Sequence, residues 1–292
     1  MAKNLISILQ LGTIDYATGM RLQEKLIALR KDGRIGDVVL LLENSPVITL
    51  GRNAKSANIL AAPEVLAQRG VEVCECDRGG DVTFHGPGQL VAYPIFDLRS
   101  FPSENPNRRT LGVIEYVRRL EEVLIRTCAE FGIPAKRISG LTGVWTESSG
   151  NAAAESSAQP DPSTAFRAGS CGCPSPHDSR SEAKIAALGV HISRGVTSHG
   201  IALNVNTDLS YFNLIVPCGI TSKPVTSIQK ELGREVRIED VAHVLSRNFG
   251  TVFHSQMLWL NSLDALVGDN LGVPMQPPSE LRKIHGDDTA WA

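Results

Sequence analysis

Three short stretches of this 292-residue chain concentrate residue types that can bind or react. Residues 78–89, RGGDVTFHGPGQ, hold four glycines and one proline in twelve positions. Gly79 and Gly80 permit positive φ and close approach of a ligand to the backbone. Exposed N–H groups in such a turn can bind a carboxylate, phosphate or carbonyl oxygen. Arg78 and His85 add side chains suited to polar recognition, although a purely structural turn would explain the glycines as well. The spacing is neither the dinucleotide G-x-G-x-x-G nor a Walker loop, and nothing else in the chain matches a nucleotide-binding loop. Residues 195–206, GVTSHGIALNVN, run from a polar turn containing His199 into a strand, and Lys184 opens the preceding strand KIAALGV. A lone His of this kind is more often structural than catalytic, and a Lys before an apolar strand is usually solvated. Residues 213–220, NLIVPCGI, place Cys218 between Pro217 and Gly219, where a turn can present a thiol at a strand end. A buried Cys more often behaves as a small hydrophobe. The other five cysteines are weaker candidates: Cys128 falls on an apolar helix stripe, and Cys171 and Cys173 lack the spacing and partners of a zinc site. No metal is expected.

Composition narrows the classes. With 29 Lys plus Arg against 31 Asp plus Glu, the formal net charge is −2. That gives no global electrostatic footprint for nucleic acid or an anionic membrane. No apolar run approaches the roughly 18 residues of a membrane span, and the N-terminus lacks the features of a secretory signal. Six cysteines are too sparse for a disulfide scaffold. The expectation is a reduced, cytoplasmic, globular protein.

The elements that must position these residues read as mixed α/β. Residues 4–11, 38–42, 46–50, 71–76 and 90–96 read as strands, with 46–50 a partner of 38–42 and Pro94 marking an edge or bulge. Further strands are expected at 143–146, 185–192 and 200–206. Helical spacing covers 15–30 and 238–249. It is clearest over 108–131, where Leu111, Ile114, Val117, Leu120, Leu124 and Cys128 form one stripe. Residues 148–182 break the pattern: 22 of these 35 are Ser, Ala, Pro or Gly, and the stretch reads as a disordered surface insertion. Residues 1–250 are then one mixed α/β domain. Residues 251–292 are a loosely ordered C-terminal extension, the more so after Gly268.

Taken together, residues 78–98, Gly143-Val144-Trp145, residues 184–206 and residues 212–220 closely resemble the lipoyl (octanoyl) transferase family, in order and in spacing. The resemblance covers about residues 5–235 apart from the insertion. The RGG block also resembles that of lipoate and biotin protein ligases. The resemblance implies a single domain of the biotin/lipoate protein ligase type, with a large and a small sheet flanked by helices. It implies transfer of an octanoyl group from octanoyl-acyl carrier protein to a lysine of lipoyl domains, in the E2 subunits of 2-oxoacid dehydrogenases and in the glycine cleavage H protein. The family's acyl-thioester cysteine falls on Cys218 and its activating lysine on Lys184. Its acyl-binding positions fall on Arg78, Gly79, Gly80, Asp81, Val82, Thr83, Phe84 and His85, on Ala187, Leu188 and Gly189, and on Gly200, Ile201 and Ala202. Asp81 stands where the family often has a longer polar residue, and Phe84 where it has Tyr. No cofactor is implied. Arg108, Arg109, Arg118 and Arg119 are candidates for a basic rim facing an acidic carrier. The alternative is an ATP-dependent lipoate or octanoate ligase of the related fold.

Overall fold

The structure, a computed structural model, describes residues 4–147, 182–219 and 223–267, the side chains of Glu147 and Cys218 excepted. In chain order the elements are β1 (Asn4–Ile14), α1 (Tyr16–Lys31), β2 (Asp37–Asn44), β3 (Val47–Leu50), α2 (Pro63–Gln68), β4 (Glu72–Glu75), β5 (Val82–His85) and β6 (Gln89–Ile95). They continue with α3 (Val113–Glu130), β7 (Ala135–Ile138), β8 (Leu141–Glu147), β9 (Glu182–Ser193), β10 (Val196–Asn204), α4 (Ile228–Leu232), α5 (Ile238–Val252), β11 (Ser255–Trp259) and α6 (Leu263–Val267). Eight strands form a large sheet in the order β11-β1-β2-β6-β10-β9-β8-β7, and three form a small sheet, β4-β3-β5. The expected architecture, a large and a small sheet flanked by helices, is the one observed.

Alternation along β2 divides the large sheet's faces. Val39 and Leu41 pack with Leu120 and Leu124 of α3 and Leu245 and Phe249 of α5, whereas Val38, Leu40 and Leu42 pack with Leu22, Leu26 and Leu29 of α1. Burial on both faces explains why β2 reads as an unbroken apolar run. Helix α1 starts at Asp15, whose carboxylate accepts the Thr18 N–H at 2.8 Å and its hydroxyl at 2.6 Å. That cap satisfies a donor the helix cannot pair internally.

Several boundaries differ from expectation. Residues 46–50 do pair, but β3 joins β4 and β5 rather than β2, because Ser45 and Pro46 turn the chain into the second sheet. Pro94 is not at an edge: β6 lies between β2 and β10, and Pro94 falls in an interruption of the β6–β10 pairing, which breaks off at Ala92 and resumes where the Thr197 N–H donates to Phe96 O and Asp97 pairs with Val196. Helix α3 begins at Val113, five residues late, because Pro102 pairs with Thr110 and the Leu111 N–H donates to Phe101 O. Ile114 is consequently 79% exposed in the first turn, and the buried stripe starts at Tyr116. Residues 255–259, expected to be loose, form β11 on the edge of the large sheet beside β1. Glu182 belongs to β9; the rest of the Ser/Ala/Pro/Gly-rich stretch, with Cys171 and Cys173, lies outside the described residues, as does everything after Val267.

Candidate active site

Residues 78–89 are not one turn. They contain β5, and its alternation sorts the predicted ligand positions. Val82 and Phe84 point into the core of the small sheet, where Phe84 stacks on Tyr211 at 4.7 Å between ring centroids. Thr83 and His85 point the other way, into a cavity of about 370 Å³ between the two sheets. Arg78, Gly80 and Asp81 join them there. Gly79 does not line that cavity; its N–H donates to Val190 O at 3.1 Å and secures the turn to β9. The size suits a small-molecule site, typically 300–1,000 Å³.

The opposite wall is the paired strands β9 and β10. Ala187 lies opposite Ala202 and Gly189 opposite Gly200, so the four smallest side chains share one face. Those residues open space where larger ones would fill it. Leu188 and Ile201 contribute to the lining, yet Ile201 is buried in the α3–α5 core and Leu188 packs against it. Apolar closure comes from Val91 of β6 and Leu141 of β8, which the sequence reading missed.

Lys184 enters this cavity because β9 carries a bulge. Trp145 pairs with Lys184 and Val144 with Ala186, leaving Ile185 as an extra residue. Strict alternation would send Lys184 and Ala187 to opposite faces. The bulge re-aims Lys184 onto the pocket face, a common use of bulges beside functional sites. Lys184 is 6% exposed, with its Nζ 5.2 Å from the centre of the Trp145 ring. An ammonium over an indole gains about 0.5–2 kcal/mol. Gly143, at φ +132°, makes room: a Cβ there would stand 2.6 Å from Lys184 Cε. Lys184 thus reaches into the cleft and is not the solvated lysine that its place before an apolar strand usually implies.

Cys218 sits in the short 3₁₀ turn Pro217–Gly219, of which the described geometry is the backbone. Its neighbours bracket the pocket. Pro217 shares a narrow side cavity with Lys184, Thr83 and Ala187. On the other side, a Cβ on Gly219 would lie 3.0 Å from Asp81 Oδ2. Residues 224–226 run beside β9, with Lys184 N–H donating to Pro224 O at 2.8 Å.

Two histidines face the cavity. His85 Nδ1 lies 2.7 Å from Gln89 Oε1. Gln89 Nε2 donates to Phe84 O and to Asn204 Oδ1, and Asn204 Nδ2 donates to Thr226 O. Backbone carbonyls only accept, so the network orients both amides and puts the proton on His85 Nδ1. His85 Nε2 is then the imidazole's accepting nitrogen. Burial, with the Arg78 charge nearby, pushes the His85 pKa from 6.5 down to about 4. Between those values the unfolded chain binds this proton more readily than the folded one. Stability from this group is therefore full above about pH 6.5 and is lost as pH falls toward about 4. Urea unfolding at about pH 7 and about pH 5 checks this: wild type should lose more stability than His85→Asn over that step.

His199, read from sequence as part of a polar turn, lies inside β10 at φ +56° and lines the cavity. Its Nε2 meets Asp77 Oδ1 at 2.6 Å, and His191 Nδ1 meets the other carboxylate oxygen. Burial lowers the His199 pKa against the pull of Asp77; at Asp77 burial works upward, but the two histidines hold the carboxyl below its usual range. Tyr16 and Tyr93 also line the cavity and were missed, since nothing local in sequence marks them.

Arg78 is the architectural anchor. Its guanidinium donates to Thr49 O (2.6 Å), Thr49 Oγ1 (2.9 Å), Gly79 O (3.1 Å) and Asp81 O (2.6 Å), tying the RGG turn to β3. Arg78→Met leaves these acceptors unpaired and should cost about 2–4 kcal/mol in urea unfolding. Arg119, expected on a basic rim, is instead buried against Phe253 and paired with Glu115 at 2.9 Å. Among the described residues no cluster of His, Cys, Asp and Glu could hold a metal, and no helix is long and apolar enough to cross a membrane.

Comparison with known proteins agrees with this geometry. Residues 15–250 match the family model of the lipoyl protein ligase A/B catalytic domain. An octanoyltransferase of Koribacter versatilis is 55% identical over 97% of this chain and 98% of the relative, and one of Acidobacterium capsulatum is 52% identical over 88% and 94%. Among solved structures, a bipartite lipoate protein ligase of Thermoplasma acidophilum superposes with a TM-score of 0.59 at 17% identity, covering 92% of this chain and 91% of that one, a likeness of fold. The pocket between the sheets, the matched domain and these relatives together place the chain in the lipoyl protein ligase A/B catalytic domain family.

Proposed function

We propose that this chain transfers an octanoyl group from octanoyl-acyl carrier protein to a lysine amine of a lipoyl domain, through a thioester on Cys218. The observation that carries the reading is the bracketing of Cys218: Pro217 lines a narrow side cavity together with Lys184, Thr83 and Ala187, and Gly219 lies against Asp81 of the main pocket's wall. A free thiol with pKa of about 8.5 is only a few per cent thiolate near neutrality. An ammonium beside it favours the thiolate.

The Cys218 thiolate attacks the donor's carbonyl carbon, and the carbon–sulfur bond to the carrier breaks. Lys184 gives its proton to the departing thiolate and becomes a neutral amine. The acceptor amine then attacks the Cys218 thioester and passes a proton to Lys184, and Cys218 leaves as thiolate, ready for the next donor. Conversion of thioester to amide is downhill, so no nucleotide is needed. The small residues Ala187, Gly189, Gly200 and Ala202 leave room for the acyl chain. Arg78, Gly80, Asp81, Thr83 and His85 supply the polar end. The acceptors are lipoyl domains of 2-oxoacid dehydrogenase E2 subunits and the glycine cleavage H protein. The reaction belongs in the cytoplasm, within one catalytic domain whose large sheet extends through β11.

The test is transfer by the purified chain to a lipoyl domain. Octanoyl-carrier protein without ATP is expected to modify the acceptor. Modification only from free octanoate with ATP would instead make the chain a ligase.

A further inference from the structure

Asp81 makes more contacts with the protein than a pocket wall requires. Its Oδ1 accepts the N–H groups of Val82 at 2.7 Å and Lys55 at 3.2 Å, and its Oδ2 accepts Asn58 Nδ2 at 2.6 Å. Asn58 in turn holds the segment that carries Cys218. Its carbonyl accepts the Val216 N–H at 2.7 Å, Ile59 pairs with Ile215, and Leu60 N–H donates to Leu214 O at 2.8 Å. Val216 O then accepts the Gly219 N–H at 3.1 Å, closing the turn around Cys218. Gly219 itself sits at φ +68°, where a Cβ would be 3.0 Å from Asp81 Oδ2 and 3.7 Å from Asn58 Nδ2. The turn thus rests directly on the Asp81–Asn58 pair.

Charge makes this placement informative. A carboxylate beside a thiol disfavours the thiolate, so attraction to a nucleophilic sulfur would not put an acid here. The chain nevertheless places an aspartate there and uses both of its oxygens on three donors. Asp is also short, so its carboxylate stays against its own strand and the 55–58 segment.

We infer that Asp81 and Asn58 form a clamp that positions the Cys218 turn toward Lys184. Asp81 is then a positioning residue, acting through Asn58 and Gly219, in addition to lining the acyl cavity. The inference rests on the proposed role of Cys218 as the acyl-accepting nucleophile.

The hydrogen bond can be reversed without changing total charge. Asp81→Asn loses the charge-assisted bond and keeps only a neutral amide–amide one once Asn58 turns its amide over, whereas Asn58→Asp sets carboxylate against carboxylate. In Asp81→Asn with Asn58→Asp, the new amide donates to the new carboxylate, and its oxygen still accepts Val82 and Lys55. Three quantities are measured on the full chain: the single-turnover rate of octanoyl loading from octanoyl-carrier protein, the KM for that donor, and the rate of Cys218 alkylation by iodoacetamide against pH. A thermal melt accompanies each variant.

Asn58→Asp should lower the loading rate roughly tenfold, because misplacing a reacting group by a fraction of an ångström costs that order of rate, and Asp81→Asn should lower it less. Donor KM should change by less than about twofold, and the double variant should return to within about threefold of wild type. Loading rates that fall in parallel in all three variants, or an Asn58→Asp rate that matches wild type, would overturn the clamp. So would an effect on KM alone, which would make Asp81 an acyl contact. A shift in the alkylation profile of Asp81→Asn with no rate loss would reduce it to a charge effect. Should Asn58→Asp fail to fold, recovery of both folding and loading in the double variant still decides the question. Failure of the underlying reading is separable: wild type itself would then load no octanoyl, while Cys218 alkylation would still report on the turn.

Discussion

Cys218→Ala should abolish transfer, with the rate to a lipoyl domain falling by roughly 10⁴ or more, since removing a nucleophile leaves only binding and polarisation. The fold should survive, because the Pro217–Gly219 turn is held by Gly219 N–H to Val216 O and Val216 N–H to Asn58 O, backbone bonds that the substitution leaves in place. Cys218→Ser keeps a hydroxyl of similar size but far lower acidity, so it should also fail near neutral pH. Mass analysis of the acceptor after hours of incubation reads both variants. Appreciable octanoylation by Cys218→Ala would mean direct transfer from carrier to amine within the pocket, with no enzyme thioester.

Lys184→Met should lower turnover by about 10²–10⁴, the range for loss of a general acid–base group. Both half-reactions suffer, because the same Nζ protonates the departing carrier thiolate and receives the acceptor's proton. A second signature is electrostatic. Without the ammonium, Cys218 alkylation should follow a thiol pKa shifted upward, toward the free value of about 8.5. Lys184→Arg separates the two duties: the cation remains, but a guanidinium does not give up its proton. It should restore much of the alkylation profile and little of the turnover. Wild-type turnover in Lys184→Met would remove the lysine from the chemistry and leave it a partner of the Trp145 ring.

Much of this site was legible in sequence, and the losses have identifiable causes. The composition of residues 184–202 gave the strands and the small residues, and Cys218 stood out between Pro217 and Gly219. What local pattern could not give was direction. Lys184 points into the cavity because Ile185 is bulged, and a bulge is a property of pairing with β8 rather than of the residues themselves. Likewise the alternation of β5 separates Thr83 and His85 from Val82 and Phe84, which the glycine-rich composition around them obscured. Phe84, which stands where the family has Tyr, packs in the small-sheet core and not on the pocket wall. His199 was discounted because a single histidine on a strand carries little information. Its partners, Asp77 and the β5 wall, are distant in sequence. Pro94 misled in the opposite sense, since its missing N–H falls in a local interruption of the β6–β10 pairing inside the sheet rather than at a sheet edge.

The most direct measurement is peptide mapping of wild-type chain mixed with octanoyl-carrier protein, quenched in acid before acceptor is added. One octanoyl group on the peptide containing Cys218, released by hydroxylamine and discharged onto a lipoyl domain when that is supplied, is the expected result. Octanoyl found on another residue, or rapid transfer to the lipoyl domain with Cys218 never loaded, would contradict the thioester route.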